Sequence, residues 1–281
     1  MRMDDGDSLD PAWIKQETPN IVWPELRVFA LPETASTNDE ALQLARHGAP
    51  EGTLVIAECQ TAGRGRKGRR WISPPGCGLY FSLILRPDQP VHSWVLLTHV
   101  AAIALANTFA ELSREGRIPR GLEVELKWPN DVLLFGKKAA GILLETASRG
   151  GAPTAAVVGV GINVHPMAFP PELADQATCV SAAAGAAVSR GRILVRFLFH
   201  FQIGYLQFLR GDAKGILAQW KSMSHMWNNT PVWIIENGQA RPAVTCGLTD
   251  NGALLVRTEQ GTRETILAAD VSIRRLERGE G

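Results

Sequence analysis

A glycine-rich basic loop between two predicted strands most restricts the folds open to this chain. The segment Gly63-Arg64-Gly65-Arg66-Lys67-Gly68-Arg69-Arg70-Trp71 follows a strand predicted at 53–58. Its letters match the G-x-G-x-x-G pattern with which a dinucleotide-binding α/β domain opens a helix. Pro74-Pro75 comes almost directly afterwards, and a proline pair cannot lie in a helix interior. The sequence therefore argues against a doubly wound dinucleotide fold and predicts a loop that leads into a strand at 78–86.

The same loop concentrates positive charge. Five of the seven residues from 64 to 70 are cations, whereas the whole chain has a formal net charge of only +1. The glycines give the backbone freedom and let an anion approach it closely, so the loop is suited to a phosphate. A solvated basic turn or a nucleic-acid-binding loop would give the same pattern.

Short strands and apolar helices alternate over most of the chain. Strands are predicted at 27–31, 53–58, 78–86, 123–128, 132–135, 139–146 and 155–164, and helices at 37–48, 94–112 and 192–209. Thr37-Asn38-Asp39-Glu40 has the form of a capping box, which makes Thr37 the predicted helix cap. Gly136-Lys137 joins two of the strands tightly and makes them antiparallel. We expect an α+β domain with a mixed, largely antiparallel sheet backed by helices.

The pattern changes after Trp220. Short strands are predicted at 232–236, 240–245, 253–258 and 264–268, separated by the turn pairs Asn237-Gly238 and Asn251-Gly252. The predicted organisation is an N-terminal arm at 1–26, a larger domain at 27–227 and a small β-barrel at 228–281. The arm is rich in proline, and we interpret it as poorly ordered and too short to be a DNA-binding module.

Composition excludes several classes of function. The small net charge gives no overall attraction to nucleic acid or to an anionic membrane. Cys59, Cys77, Cys179 and Cys246 are widely scattered, as are the six histidines, so no metal site is assigned and no disulfide framework is indicated. No run of about 18 apolar residues occurs. We expect a cytoplasmic protein with neither a nucleic-acid nor a membrane partner.

Three later motifs carry groups suited to a charged ligand. Lys127-Trp128-Pro129-Asn130-Asp131 precedes the apolar segment Lys138–Glu145. A lysine beside buried surface stays charged only with an anionic partner, so Lys138 indicates a phosphate or carboxylate. In Gly159-Val160-Gly161-Ile162-Asn163, the glycines would let a planar ring lie on the backbone while an amide reads its edge. Taken singly, these motifs are equally compatible with a bend or a close-packed strand.

Taken in order, the motifs resemble those of the biotin protein ligases. The resemblance runs from about Arg27 to Arg275, nearly the whole chain. It rests on Ser36-Thr37-Asn38, Gln60 with Gly63–Arg69 and Trp71, Lys127–Asp131, Lys138–Glu145 and Gly159–Asn163. Asp270-Val271-Ser272-Ile273-Arg274 also resembles the end of that family's SH3-like C-terminal domain. The resemblance therefore implies a biotin/lipoate ligase-like catalytic domain followed by an SH3-like barrel.

The resemblance also implies a reaction. Biotin and ATP would form biotinyl-AMP with release of pyrophosphate, and a specific lysine of a biotin carboxyl carrier protein or domain would then take the biotinyl group and release AMP. Mg²⁺ would accompany ATP, and the chain would be compatible with a homodimer. About 26 residues before the first strand leave no room for the winged helix with which some family members bind DNA.

Residue roles follow from the matched motifs alone. The residues implied to bind biotin are Ser36, Thr37, Asn38, Gln60, Arg64, Gly65, Arg66 and Lys138. Those implied to bind ATP are Arg64, Arg66, Arg69, Lys127, Asn130, Asp131 and Asn163. Catalysis would depend on the cations Lys138, Arg64 and Arg66. Around Ala177-Thr178-Cys179 the chain departs from relatives that place an aromatic residue over adenine.

Two other functions stay open. A lipoate or octanoate ligase would share the fold, but an aliphatic acid would leave Ser36, Asn38 and Gln60 without polar partners. A non-catalytic nucleic-acid binder would use residues 64–70 and the C-terminal barrel, but the sequence has no basic stripe beyond the loop.

Overall fold

A seven-stranded sheet forms the centre of the larger domain in the computed structural model, which describes residues 8–19, 21–23, 26–116, 121–236, 239–267 and 272–275. Its strands are β1 (Arg27–Leu31), β2 (Thr53–Ala57), β3 (Gly78–Leu85), β4 (Val124–Lys127), β5 (Asp131–Leu134), β6 (Lys137–Arg149) and β7 (Ala152–Asn163). They lie in the order β1-β2-β3-β7-β6-β5-β4. The β1–β2 pair is parallel and the other pairs are antiparallel, which confirms the predicted mixed, largely antiparallel sheet.

Helices cover both faces of this sheet. They are α1 (Pro11–Glu17), α2 (Thr37–Arg46), α3 (Leu96–Arg114), α4 (Pro171–Ala174), α5 (Val180–Ala184), α6 (Arg190–Leu209) and α7 (Ala213–Ser222). Successive strand residues point to opposite faces, so β2 sends Leu54 and Ile56 into the core with α3 and α6 but Val55 into a second cluster with α2. Burial on both faces explains why β2 and β3 are apolar without alternation.

A five-stranded antiparallel sheet makes up the C-terminal domain. Its strands are β8 (Asn228–Glu236), β9 (Gln239–Leu248), β10 (Leu254–Arg257), β11 (Arg263–Ile266) and β12 (Ser272–Arg275), in the order β11-β10-β9-β8-β12. The predicted turn at Asn251-Gly252 lies between β9 and β10. The turn Asn237-Gly238, Ala268 and residues 270–271 lie outside the described residues. The predicted succession of short strands is confirmed for the rest.

The interpretation of the N-terminal segment as poorly ordered is wrong for its described residues. Asp10 caps α1 by accepting a hydrogen bond from the Trp13 N–H at 2.8 Å, and Pro11 occupies the first helical turn. Ile14 and Trp23 are buried in the main core. Prolines are typical of disordered segments, but Asp10-Pro11 is a helix-start signal, because Asp caps the helix and Pro is tolerated in its first turn.

The predicted capping box at the start of α2 is also wrong. The N-cap residue is Ser36, and its side chain makes no capping hydrogen bond. Thr37 is the first helical residue, and its backbone N–H donates to Gln60 Oε1 at 2.9 Å. Glu40 accepts from the Thr34 hydroxyl at 2.8 Å instead of returning to the N-cap. The start of α2 is therefore capped from the loop after β2, which fixes that loop against the helix.

The segment Val91–Arg114, which contains α3, is the one part of the described chain with the length and hydropathy of a membrane-spanning helix. Its most apolar window has a mean hydropathy of 1.6, and 78% of that window is buried in the fold. It packs between the sheet and α6 as a core helix.

His99 of α3 is buried where the two domains meet. Its ring lies edge-on to Trp220 of α7 with centroids 5.4 Å apart, and it also contacts Gly252 of the C-terminal domain. Neither ring nitrogen makes a hydrogen bond of good geometry, and the Val95 backbone only partly opposes the effect of burial on the His99 pKa. Burial lowers the pKa of His99 to about 4.

His99 should make stability depend on pH. Below about pH 6.5 the unfolded chain binds a proton at His99 that the folded protein excludes until about pH 4, so stability falls through this window as pH decreases. The loss attributable to His99 is about 3 kcal/mol between pH 7 and pH 4. Urea unfolding at several pH values checks this, with His99→Leu as the non-titrating control. If the free energy of unfolding depended on pH equally in both proteins, this role of His99 would be contradicted.

Candidate active site

A cavity of about 480 Å³ opens on the α2 face of the central sheet. At one end of this face, α2 packs on Ala147, Ala155 and Val157. Further along the same face, β6 and β7 present Gly141 beside Gly161 and Leu143 beside Gly159. The start of α2 reaches Gly159 through Asn38 but leaves the rest of this end uncovered, and the basic loop encloses it. The cavity therefore lies between the start of α2, the loop and a stretch of sheet with few side chains.

Trp71, at the end of the basic loop, lies flat against the glycine part of the sheet. A Cβ atom on Gly161 would come within 2.5 Å of Trp71 Nε1, and one on Gly141 would come within 3.0 Å of the same ring. The glycines were predicted to accept a planar ring, and the ring observed there is the protein's own indole. Trp71 Nε1 has no hydrogen-bond partner.

Buried polar side chains line one end of the cavity. Ser82 Oγ lies 2.6 Å from Asn38 Oδ1, and because an amide oxygen can only accept, the serine hydroxyl donates to it. Asn38 Nδ2 donates to a Glu145 oxygen at 2.7 Å. Gln60 Oε1 accepts from Thr37, while its Nε2 donates to Ser73 Oγ at 2.8 Å. Both amide groups are therefore fixed in orientation.

Arg64 ties the loop to this polar end. Its guanidinium pairs with Asp39 at 2.5 Å and with Glu145 at 3.0 Å. The same Glu145 oxygen also accepts from Asn38. Because all these groups are partly exposed, the pairs contribute modestly to stability, but they fix where the Arg64 charge lies.

Two further cations lie at the other end of the cavity. Lys138 Nζ is 2.6 Å from Asp131 Oδ1 and 5.2 Å from the centre of the Trp71 ring. Arg66 donates to Asn130 Oδ1 at 3.3 Å, and Asn130 Nδ2 in turn donates to the Ile142 carbonyl at 2.7 Å. The anionic partner predicted for Lys138 is thus, in the protein itself, Asp131.

Burial lowers the pKa of the Arg66 guanidinium, while the nearby Asp131 opposes this shift and Arg69 reinforces it. An arginine stays protonated even so. The shift therefore means that Arg66 is a partly desolvated charge, which interacts more strongly with an anion than a fully hydrated one does.

The basic loop has a defined conformation. Gly65 N–H donates to the Arg69 carbonyl at 2.7 Å, and Trp71 N–H donates to the Gly63 carbonyl at 2.8 Å. The chain reverses at Lys67 and Gly68, which both have positive φ. This hairpin holds the loop against the cavity.

The segment after β7 closes another side. Lys138 N–H donates to the Gln176 carbonyl at 2.8 Å, and Thr178 N–H donates to the Lys138 carbonyl at 2.9 Å. Asn163 Nδ2 donates to the Thr178 carbonyl at 3.1 Å. Phe169 and Leu173 of this segment line the cavity.

All the site residues predicted from sequence line this one cavity. They are Ser36, Thr37, Asn38, Gln60, Arg64, Gly65, Arg66, Arg69, Lys127, Asn130, Asp131, Lys138 and Asn163. The individual roles assigned to them stay predictions. Sequence reasoning missed Ser82 and Asp39 and gave Glu145 no role. A serine inside the otherwise apolar strand β3 was the one available signal for Ser82.

Comparison with known proteins identifies related sequences. A model of the biotin/lipoate A/B protein ligase family matches residues 30–163, and one of the biotin protein ligase C-terminal domain matches residues 245–274. The biotin–[acetyl-CoA-carboxylase] ligase of Paracoccus denitrificans is 35% identical over 86% of this chain and 98% of its own length. That of Mycobacterium tuberculosis is 33% identical over 88% of each.

A solved structure agrees with these relatives. The biotin protein ligase from Aquifex aeolicus in complex with biotin and ATP is 30% identical and superposes with a TM-score of 0.73. The alignment covers 89% of this chain and 99% of that one.

Ser82→Ala should leave Asn38 Oδ1 buried without a donor. An unsatisfied buried acceptor costs about 1–3 kcal/mol, so the free energy of unfolding should fall by this amount. Denaturant unfolding measures it, and Ser148→Ala, at an exposed position of β6, is the control. A Ser82→Ala protein as stable as the wild type would show that Asn38 is held without this hydroxyl.

Proposed function

The chain belongs to the biotin protein ligase family, and on this basis we propose that it uses ATP to attach biotin to a lysine of a biotin carboxyl carrier protein or domain. One observation carries the proposal: a single cavity contains oriented neutral amides at one end and fixed cations at the other. A substrate with a neutral polar ring and a carboxylate, together with ATP, matches both ends.

The polar end is suited to the ureido ring of biotin. That ring has both N–H donors and a carbonyl acceptor, and it needs partners of both kinds. Ser36, Thr37, Asn38 and Gln60 provide them on one side of the cavity. A lipoate or octanoate ligase is the less favoured function. The amides already have partners within the protein, but an aliphatic chain would leave their remaining donor and acceptor positions buried without partners.

The cationic end is suited to the meeting of two anions. The biotin carboxylate must approach the α-phosphate of ATP, and the two repel each other. We assign Lys138 and Arg66 at this end, together with Arg64 from the polar end, to offset this repulsion, with Gly65 allowing the loop backbone to approach. These cations are already held by Asp131, by Asn130, and by Asp39 with Glu145, respectively. Charges fixed in advance need no reorganisation during reaction.

The reaction has two steps. A carboxylate oxygen of biotin attacks the α-phosphorus of ATP, the bond to the bridging oxygen breaks, and pyrophosphate leaves. The neutral amine of the acceptor lysine then attacks the carbonyl carbon of biotinyl-AMP, loses a proton, and AMP leaves. No covalent bond to the enzyme is needed. Holding the two reactants in line can contribute about 7–11 kcal/mol to lowering the barrier.

ATP would contact the remaining predicted residues. We assign Arg69, Lys127, Asn130 and Asp131 to the phosphate side and Asn163 to adenine, with Phe169 as an aromatic neighbour. Mg²⁺ usually keeps several waters and binds through substrate phosphates with one or two carboxylates. Asp131 and Asp175 are the carboxylates that line the described cavity. Either carboxylate would suit Mg²⁺ carried by ATP, which would offset the charge of the phosphates.

The remaining assignments concern the cell and the assembly. We propose a cytoplasmic enzyme that acts on a carrier protein or domain, with no nucleic-acid or membrane partner. A homodimer is compatible with the family and is tested by sedimentation.

Biotin should stimulate exchange of radiolabelled pyrophosphate into ATP, because the first step is reversible. Octanoate and lipoate should not replace it, since they leave the polar end unpaired. With a carrier domain present, mass spectrometry should detect one biotinyl group on one lysine. Exchange driven by octanoate but not by biotin would overturn the proposal.

Lys138→Ala should slow biotinyl-AMP formation by about 10²–10³ fold, the usual effect of removing one preorganised charge. Lys138→Arg should also be impaired, because a planar guanidinium cannot reproduce a compact ammonium. The measurement is single-turnover adenylation, with circular dichroism on the same samples. Lys137→Ala is the matched control, because Lys137 is exposed on the same strand. Wild-type adenylation by the Lys138→Ala protein would remove this lysine from the mechanism.

A further inference from the structure

One buried hydrogen bond connects the C-terminal domain to the wall of the cavity. Trp128 Nε1–H donates to the Gly252 carbonyl at 3.0 Å. Trp128 is 2% exposed, and it lines the cavity together with the residues that follow it. The bond therefore joins the β9–β10 turn to the cavity wall in a region shielded from water.

The β9–β10 turn is shaped for this contact. Gly252 N–H donates to the Thr249 carbonyl at 2.9 Å, and Thr249 N–H donates to the Ala253 carbonyl at 2.9 Å. Gly252 has φ +80°, and a Cβ atom there would lie 2.5 Å from His99 Cε1. A side chain at this position would have to push the turn away from His99. Glycine is therefore required both for conformation and for close approach.

The residues that follow Trp128 in the chain contact two of the cavity cations. Trp128 is followed by a cis Pro129, then by Asn130 and Asp131. Asn130 accepts from Arg66 at 3.3 Å, and Asp131 pairs with Lys138 at 2.6 Å. A shift of Trp128 would thus move the acceptors that hold both cations.

The C-terminal domain does not reach the cavity directly through its described residues. The lining residues run from Ser36 to Ala177, and none of them belongs to the described part of the chain after 227. An influence of the C-terminal domain on the chemistry must then pass through a contact such as the one at Gly252.

We infer that Trp128 is a positioning residue through which the β9–β10 turn sets the Asn130–Asp131 acceptors, and so the places of Arg66 and Lys138. The inference rests on the proposed function, because its effect is on adenylation. Displacement of a reacting group by about 1 Å can cost about 10²-fold in rate. The polar end, with Asn38 and Ser82, makes none of these contacts and should be unaffected.

Gly252→Ala tests the turn, and Gly261→Ala is its matched control. Gly261 has φ +79°, nearly the same as Gly252, but a Cβ atom there meets nothing within 4 Å. Both substitutions impose the same backbone strain on the C-terminal domain. We expect Gly252→Ala to lower the single-turnover rate of biotinyl-AMP formation by about 10–10² fold. Gly261→Ala should stay near the wild-type rate.

Trp128→Phe removes the donor and keeps an aromatic ring. It should lower the adenylation rate and raise KM for ATP, while the Kd for biotin measured by calorimetry changes far less, because the contacts of the polar end are kept. The Trp128→Phe/Gly252→Ala double variant should be little slower than the slower single variant, because both changes break the same contact. A substitution that merely loosened the fold would weaken biotin binding as well.

A failure of the positioning role of Trp128 can be distinguished from a failure of the proposed function. Wild-type exchange that depends on biotin establishes the reaction independently of either variant. If the wild type is active and both Gly252→Ala and Trp128→Phe adenylate at its rate, the positioning role is overturned and the function stands. Equal losses in Gly252→Ala and Gly261→Ala would also overturn it, because strain alone would then explain the defect. If the fold losses of the two single variants multiplied in the double variant, the two substitutions would not act through the same contact.

Discussion

Burial of the central sheet on both faces is the constraint on which the rest of the structure depends. Because β2, β3 and most of β7 have no solvent face, the middle of the sheet must be covered on both sides. Helix α2 has ten residues, about 15 Å, and covers one end of its face. The other end, where Gly141 and Gly161 face outward, is covered by a loop that leaves a cavity. The site exists because this half of the face carries glycines instead of branched side chains.

Ion pairs and hydrogen bonds within the protein fix the cations at the cavity wall. Three cations at the cavity wall have partners within the protein. Arg64 pairs with Asp39 and Glu145, Arg66 donates to Asn130, and Lys138 pairs with Asp131. Removing one charge from such a pair leaves its partner without a counter-charge, at a modest cost in stability because the groups are partly exposed. Anionic substrates would compete with these partners for the same cations. On binding, substrate oxygens would replace the internal partners.

The contact between the two domains adds a second dependence. Trp128, Gly252 and His99 meet without exposed polar groups, and the lowered pKa of His99 reflects that dryness. A dry contact transmits displacement because close-packed atoms cannot give way independently. The C-terminal domain is therefore mechanically continuous with the Asn130–Asp131 turn, although none of its described residues lines the cavity.

The sequence by itself determined the succession of strands, the helices α2, α3 and α6 and the largely antiparallel sheet, since local periodicity carries that information. It indicated neither the shorter helices α4 and α5 nor α7, and its ordered motifs named residues that line one cavity. It failed at Asp10-Pro11, where the segment is helical and buried despite its prolines, and at Thr37, whose backbone N–H donates to Gln60 in place of the predicted capping box. It gave no sign that Trp71 would lie on the glycines or that Asp131 would pair with Lys138. Trp71 reaches the glycines from a segment 70 to 90 residues away along the chain, so only the folded sheet brings them together. Asp131 and Lys138 are close in sequence, but the exact register of β5 on β6, with its irregularity after Val132, decides that their side chains meet. Tertiary structure therefore decided which partner this ring and this charge received.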